Sequence, residues 1–366
     1  MSAMPYQHII RPILFRFTDP EKIHHAVING LGLASRQKPL YNFLHKYLAN
    51  TDKKLHTKIG SLNLESPVGL AAGFDKYIEA PLAYPMLGFG FAELGSITYN
   101  EQPGNPPPRL WRIPKDKGLI VNYGLSNSGA IKTSEKISLL VNRPVPYGIS
   151  IAPSTGIELA DLADDYLKTL DHLHPFADYI TLNVSCPNVA KHDQFAQINF
   201  IEELLEKVYT LMKLRGINKD VFIKIGPHSS EQDIRRIVAA CIKSGLTGII
   251  ATNLLKIRSG LNFKSKNTEL DHPGGISGRL LQAESDAKIS QIYGESQGKL
   301  KIIGVGGIFT AEDAYRKIKL GASAVQVMTG FIYGGPMTIK KINDGLGKLL
   351  QEDGFKNISE AVGKGK

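Results

Sequence analysis

The sequence predicts an α/β fold, a (β/α)8 TIM barrel with an N-terminal helical extension. Beyond residue 55, eight short apolar, β-branched or glycine-containing runs alternate with longer amphipathic runs. Within residues 1–54, apolar residues recur instead at helical spacing. Eight strand–helix units in about 300 residues match a barrel, whereas a doubly wound sheet usually needs fewer. We expect a helical extension over residues 1–54, a barrel over 55–352 and a tail over 353–366.

The apolar pattern of the extension predicts two or three short amphipathic helices. Asp19-Pro20-Glu21 is typical of a helix start, because an acid caps the first amides and proline suits the first helical position. The extension carries eight Lys and Arg against three Asp and Glu, a net +5 of the chain's +10. Basic residues beside apolar faces suit a helix lying in a membrane interface. Packing of these helices on the barrel alone is the alternative.

The barrel region divides into predicted strands, helices and one long insert. The predicted strands are Val68–Ala71, Phe89–Leu94, Tyr147–Ile151, Tyr179–Val184, Val221–Ile225, Gly248–Ala251, Lys301–Val305 and Ala324–Val327. The clearest predicted helices are Leu159–Leu173, Phe200–Arg215, Glu231–Ser244 and Ala311–Leu320. The insert from Gly95 to Pro146 is too long for a bare connection, so we expect it to cover the barrel mouth.

The composition narrows the class of protein. With 42% apolar and 21% charged residues, the 366-residue chain has an ordinary soluble globular composition. Its two cysteines, Cys186 and Cys241, lie too far apart to indicate a disulfide framework or a metal site, which fits a reducing, cytoplasmic compartment. No apolar run approaches the roughly 20 residues of a transmembrane helix, and the start lacks the pattern of a secretory signal. No nucleic-acid motif accompanies the basic charge, so we expect no nucleic-acid partner.

The loop after the fourth predicted strand carries the candidate for proton transfer. The stretch Leu182–Asn188 places Cys186 between Asn183 and Asn188, and Pro187 stiffens it. A lone cysteine is more often a small buried hydrophobe. Amides and a hydroxyl beside it, however, need polar partners, which a planar polar ligand can supply. We therefore predict that Cys186 moves a proton.

The remaining strand ends predict a site for a large, flat, anionic ligand. Lys224 interrupts an apolar strand and is costly to bury unless it faces a negative partner such as a reduced flavin. Gly304–Gly307 and Thr329-Gly330 follow the last two strands, where barrels often bind phosphate through backbone amides. Neither a GxGxxG dinucleotide motif nor a P-loop lysine motif occurs, so those cofactor folds are unsupported.

Six stretches carry a resemblance to a known family. The sequence is similar to the dihydroorotate dehydrogenases, FMN-containing barrel enzymes of pyrimidine biosynthesis, and especially to their membrane-associated, quinone-using class. The resemblance covers nearly the whole chain, including the N-terminal helices. The stretches are Gly69–Lys76, Gln102–Asn105 with Pro108–Leu110, Asn183–Asn188, Ala251–Asn253, Gly274–Arg279 and Ile303–Ile308.

The resemblance implies FMN-dependent oxidation of dihydroorotate to orotate, with electrons passed to a quinone at the inner (cytoplasmic) membrane. Cys186 would be the base, Lys224 would balance charge on the reduced flavin, and quinone would enter between the N-terminal helices near Arg112. FMN would contact Ala72, Gly73, Lys76, Ser96, Ser150, Asn183, Lys224, Thr252, Gly278, Gly306, Gly307, Met328 and Thr329. The substrate would be held by Lys76, Asn122, Asn183, Asn188 and Asn253.

The chain departs from the family pattern at several positions. The quinone-using class generally has serine where this chain has Cys186. Val121 takes the place of a substrate-contacting asparagine, for which Asn122 could substitute with a one-residue shift. Ser150 and Leu254 replace an asparagine and a threonine. Each lost polar partner would cost on the order of 1–3 kcal/mol, so a related enzyme acting on a different cyclic amide or secondary metabolite is the alternative. A barrel that binds ligand without turnover is a third reading, which the retained flavin residues oppose.

Overall fold

The computed structural model describes residues 5–50, 52–140, 143–185, 194–259, 261–266 and 270–365. Eight parallel strands close into a barrel, which confirms the predicted fold class. Around the barrel they follow chain order, so each strand pairs with the next one along the chain and the last with the first. The barrel strands are β3 (Val68–Leu70), β4 (Phe91–Ile97), β7 (Tyr147–Ile151), β8 (Tyr179–Asn183), β9 (Asp220–Ile225), β10 (Gly248–Ala251), β12 (Lys301–Val305) and β13 (Ala324–Val327).

The second barrel strand differs from its predicted bounds of Phe89–Leu94. It begins at Phe91, because Gly88 turns the chain with a φ of 90° and Gly90 passes against the Ser66 carbonyl. A β-carbon at Gly90 would lie 2.1 Å from that oxygen, so only glycine fits there. The strand then continues to Ile97, which carries Ser96 to the mouth of the barrel.

Helices surround the barrel and form the N-terminal extension. The extension contains a π-helical turn (Tyr6–Ile10), α1 (Arg11–Phe17), α2 (Pro20–Arg36) and α3 (Lys38–Leu48), as the pattern predicted. Asp19 caps α2 by accepting hydrogen bonds from the amides of Glu21 and Lys22. The other α-helices are α4 (Ala83–Met86), α5 (Gly129–Ser138), α6 (Leu162–Leu173), α7 (Gln194–Arg215), α8 (Glu231–Lys243), α9 (Gln282–Ser296), α10 (Ala311–Lys319), α11 (Thr329–Gly334) and α12 (Thr338–Glu352).

The two ends of the barrel are closed differently. At the amino ends of the strands, the hairpin of β1 (Thr57–Ile59) and β2 (Leu62–Leu64) inserts apolar side chains, and Ser61 donates to Asp220. At the carboxyl ends, an antiparallel sheet lies over the mouth. It is formed by β5 (Leu110–Ile113), β6 (Gly118–Val121) and β11 (Gly275–Gly278). The insert predicted to cover the mouth supplies β5 and β6 of this sheet.

The chain's last described residues pack back on the barrel. Ile358 and Ala361 are buried, and the amides of Gly363 and Gly365 donate to carbonyls at the end of α10. Within the described residues, no helix has the length and apolar character needed to cross a bilayer.

Candidate active site

A cleft opens at the carboxyl ends of the barrel strands, beneath the covering sheet. It brings together many of the predicted cofactor residues from distant parts of the chain. Those that line it are Ala72, Lys224, Thr252, Gly278, Gly306, Gly307, Met328 and Thr329, together with Asn253 from the predicted substrate set. We call this cleft the cradle.

Two glycines after β12, Gly306 and Gly307, form part of the wall of the cradle. Gly306 and Gly307 adopt positive φ values of 121° and 70°, which other residues rarely adopt. A β-carbon at Gly307 would lie 2.4 Å from the β-carbon of Gln282. Glycine therefore lets this segment pack directly against α9, at the place where barrels often bind phosphate after their last two strands.

A network of small polar side chains lies beside the cradle. Asn183 donates from Nδ2 to Ser96 Oγ at 3.0 Å, and Ser96 shares a hydrogen bond with Ser150 at 2.7 Å. Asn253 Nδ2 donates to Asn183 Oδ1 at 3.1 Å and to Ser185 Oγ at 2.6 Å. Four residues that the sequence predicted separately, Ser96, Ser150, Asn183 and Asn253, thus form one cluster.

Two predicted residues of this region lie outside the described residues. They are Cys186, the candidate base, and Asn188, a candidate substrate contact. Ser185, directly before Cys186 in the chain, belongs to the polar cluster through its contacts with Asn253 and Asn183. The roles assigned to Cys186 and Asn188 remain predictions.

Lys76 is buried near the same end of the barrel. Its Nζ donates to the Gly73 carbonyl at 3.1 Å and lies 3.8 Å from the centroid of the Tyr123 ring. Burial lowers the pKa of Lys76 to about 8, while the nearby carboxylates of Asp75 and Glu21 oppose that shift. The Asp75 carboxylate already accepts hydrogen bonds from the amides of Glu79 and Ala80 and from the Tyr84 hydroxyl. Because Asp75 is engaged in this way, the positive charge of Lys76 is well placed to attract an anionic ligand.

Asn122 and Gly73 lie at the edges of this region. The Asn122 side chain accepts a hydrogen bond from Asn105 Nδ2 at 3.1 Å, next to the covering sheet. The assignment of Asn122 to the substrate stays a prediction. Gly73 faces Met328, since a β-carbon there would lie 3.9 Å from the methionine sulfur.

Sequence reasoning missed three polar residues at this end of the barrel. Gln326 lines the cradle beside Lys224, and Ser277 shares a 2.8 Å hydrogen bond with Thr329. Glu93 lies below them, fully buried. Like Lys224, Glu93 and Gln326 are each a single polar residue inside an apolar strand. The same pattern in the sequence could therefore have identified them.

A second, apolar cavity of about 290 Å³ lies between the N-terminal helices and the barrel mouth. Helix α2 lines it with Ile23, Val27 and Leu31, and α11 lines it with Phe331 and Ile332. Because Thr329 and Gly330 at the start of α11 also line the cradle, one short helix borders both spaces. We call the second space the apolar cavity.

Few polar groups border the apolar cavity, and most of them already form hydrogen bonds with the protein. His24 donates from Nε2 to the Phe74 carbonyl at 2.8 Å; burial, assisted by the charge of Lys76, lowers the pKa of His24 to about 3, so the ring is neutral at physiological pH. Arg112 donates to the carbonyls of Leu14, Phe15 and Thr18, which caps the carboxyl end of α1. Arg112 therefore ties the extension to the covering sheet.

The cradle's remaining polar atoms indicate what it can hold. Thr252 Oγ1 is buried and has no hydrogen-bond partner among the described residues, and Lys224 lies nearby. A flat ligand with polar ring atoms and a phosphate would satisfy the hydroxyl and the lysine and would sit against the glycine wall. The apolar cavity suits a hydrophobic ligand instead.

The fold and the site place this chain among the (β/α)8 barrel proteins that bind ligands at the carboxyl ends of their strands. The family model of dihydroorotate dehydrogenase matches residues 54–350. The chain belongs to the dihydroorotate dehydrogenase family.

Full-length relatives and solved structures agree with this membership. The chain is 38% identical over 373 residues to dihydroorotate dehydrogenase (quinone) of Trichodesmium erythraeum (strain IMS101), covering 98% of each chain. It is 36% identical over 344 residues to the protein of the same name from Nocardia farcinica (strain IFM 10152), covering 94% of this chain and 93% of that one. A crystal structure of DHODH in complex with ferulenol from Eimeria tenella aligns with a TM-score of 0.84 at 31% identity, covering 97% and 98% of the two chains.

Proposed function

We propose that this protein oxidises dihydroorotate to orotate with bound FMN and passes the electrons to a quinone. Family membership and the quinone-dependent relatives support the activity. The structural observation that carries the proposal is the shared border at α11, which separates a polar, glycine-walled cradle from an apolar cavity. A polar redox cofactor and an apolar electron acceptor could therefore sit close together.

FMN fits the cradle by its chemistry. Gly278, Gly306 and Gly307 would admit its phosphate, and Thr252 would gain the hydrogen-bond partner that its hydroxyl lacks within the described residues. Lys224 would face the flavin ring. When bound, FMN would supply the capacity to accept a hydride and to release electrons one or two at a time.

The polar cluster would orient the substrate. Asn183 and Asn253 offer amide groups that match the hydrogen-bonding edge of a pyrimidine, and Lys76 offers a positive charge to a carboxylate. Cys186 would remove the C5 proton of dihydroorotate as the C6 hydride leaves. The thiol must be ionised or act through water, because a thiolate, not a thiol, is the effective base.

The N-terminal extension, residues 1–54, would serve as the quinone entrance and membrane contact of the barrel, residues 55–352. Large apolar side chains of α1 to α3 face solvent: Phe17 is 73% exposed, Leu33 66% and Phe43 65%. Lys22, Lys38 and Lys46 of α2 and α3 are also exposed. Exposed apolar groups with basic neighbours suit the anionic surface of the inner (cytoplasmic) membrane.

Anaerobic mixing of the purified flavoprotein with dihydroorotate tests the proposal. We expect the visible flavin absorbance to bleach within a turnover and to return when a quinone is added. A flavin spectrum that stays oxidised would contradict dihydroorotate as the substrate while leaving the cofactor in place.

A different cyclic amide is the second candidate substrate, and Leu254 favours it. Leu254 lines the cradle next to Asn253, a predicted substrate contact, and its apolar side chain offers no hydrogen bond to a polar substrate group. The double variant Val121→Asn and Leu254→Thr should then raise the rate of flavin reduction by dihydroorotate. No gain in that rate would count against this second candidate.

A further inference from the structure

A polar layer lies inside the barrel, directly beneath the cradle. Below it, apolar side chains from the same strands fill the interior together with the β1–β2 hairpin. Because side chains two residues apart on a strand point to the same side, the polar layer also faces inward. The successive residues of the two layers are Phe91 and Glu93 on β4, Tyr179 and Thr181 on β8, Phe222 and Lys224 on β9, and Ala324 and Gln326 on β13.

Glu93 is the centre of this layer. Its Oε2 accepts hydrogen bonds from Thr181 Oγ1 at 3.1 Å and from Gln326 Nε2 at 2.9 Å. Its Oε1 lies 3.5 Å from Lys224 Nζ and accepts no hydrogen bond within the described part of the chain. The two neutral donors therefore fix one carboxylate oxygen, which leaves the other directed at the lysine.

The pair is costly to keep for stability alone. The side chains of Glu93 and Lys224 are 0% and 6% exposed, so both lose nearly all contact with water. A buried ion pair seldom repays that desolvation better than two apolar side chains of similar size would. Lys224 also borders the cradle, whereas Glu93 touches it only through Lys224 and Gln326. This arrangement indicates that the Glu93 carboxylate acts on a ligand in the cradle through Lys224.

We propose that Glu93 is a positioning residue whose negative charge limits how strongly Lys224 stabilises the reduced, negatively charged form of FMN. The inference rests on the proposed function, because it takes FMN as the ligand of the cradle. Lys224 alone would favour the reduced flavin strongly, since little water is present to screen its charge. A countercharge on its far side weakens that preference, and electrons then leave more readily for the acceptor.

Replacement of Glu93 by glutamine tests the charge at nearly constant shape. The FMN-bound enzyme is reduced slowly and anaerobically by a chemical reductant beside a reference dye of known potential. At a given dye ratio, we expect the Glu93→Gln variant to show a reduced-to-oxidised flavin ratio about tenfold higher than the wild type, about 30 mV for a two-electron couple. This readout needs no dihydroorotate, so it stands even if the proposed substrate is wrong.

Thr181→Val is the matched control. It removes a hydrogen bond to the same carboxylate but leaves both charges in place, so we expect a flavin ratio within about twofold of the wild type. A purely structural role for the layer predicts that both variants behave alike. The proposal is overturned if Glu93→Gln keeps its flavin with an unchanged ratio, or if Thr181→Val shifts the ratio equally.

Glu93→Asp covers the case in which the glutamine variant does not fold or does not retain FMN. Aspartate keeps the charge but withdraws it from Lys224 by one methylene. We expect a shift of the ratio toward reduced flavin, smaller than that predicted for glutamine. An unchanged ratio, or a shift toward oxidised flavin, would contradict the role assigned to Glu93.

Discussion

At the scale of single residues, the site is defined by charged groups that the fold has removed from water. Lys76, Lys224 and Glu93 are all buried, and burial makes each of them sensitive to the charge of a bound ligand. Lys224 was predicted from its position in an apolar strand. Lys76 was assigned from the family resemblance, and its contact with the Tyr123 ring depends on a fold that joins residues 47 positions apart.

Lys76 leads to a prediction about pH. Because burial lowers its pKa to about 8, the free enzyme loses this positive charge as the pH rises through that value. An anionic substrate binds best to the protonated lysine, so kcat/KM for dihydroorotate should fall above about pH 8. A pH profile of kcat/KM measures this directly.

Lys76→Arg is the control for that profile, because arginine stays protonated throughout the accessible range. Its overall activity should be lower, since the planar guanidinium fits the site differently. The falling limb near pH 8 should nevertheless disappear. If the limb persists in the arginine variant, another group is responsible for it.

At the scale of elements, the N-terminal helices have two distinct faces. The spacing of Ile23, Val27 and Leu31 places them on one side of α2, where they line the apolar cavity. This periodicity was visible in the sequence, as was the cap at Asp19. The covering sheet was not, because β5, β6 and β11 are each four residues long and β11 joins the others from more than 150 positions away. Short strands that pair over such distances leave no local periodic signal.

The exposed face of the helices yields a second prediction. In the double variant Phe17→Glu and Phe43→Glu, two apolar side chains become negative, which opposes contact with an anionic bilayer. Cosedimentation with vesicles of anionic phospholipid should decrease at least severalfold. Anaerobic reduction of the flavin by dihydroorotate should not change, because the cradle is untouched.

Leu139→Glu provides a control at an exposed apolar residue outside the N-terminal extension. Leu139 follows α5 and is 79% exposed, but it does not belong to the extension. Vesicle binding by this variant should remain close to that of the wild type. Equal loss of binding in both variants would show that the extension is not the membrane contact.

At the scale of the whole molecule, the number and spacing of apolar runs were enough to predict an eight-stranded barrel. The carboxyl ends of its strands could therefore be named as the site before any contact was known. The family resemblance implied a quinone entrance between the N-terminal helices near Arg112, and the apolar cavity lies there. Its lining by α11 and the covering sheet could not be predicted, because it depends on how the extension packs against them. Of the polar layer only Lys224 was predicted, since only the closed barrel brings Glu93 close to residues on β8, β9 and β13.

On the proposed function, the cradle and the apolar cavity are two halves of one electron path. Ile23→Trp would fill part of the cavity from α2 without touching the cradle. The variant and the wild type are reduced anaerobically by dihydroorotate and then mixed rapidly with a quinone. We predict an unchanged rate of flavin reduction and a rate of reoxidation at least about tenfold slower, a barrier higher by about 1.4 kcal/mol. Equal reoxidation rates in the two proteins would contradict this path, because the quinone would then reach the flavin by another route.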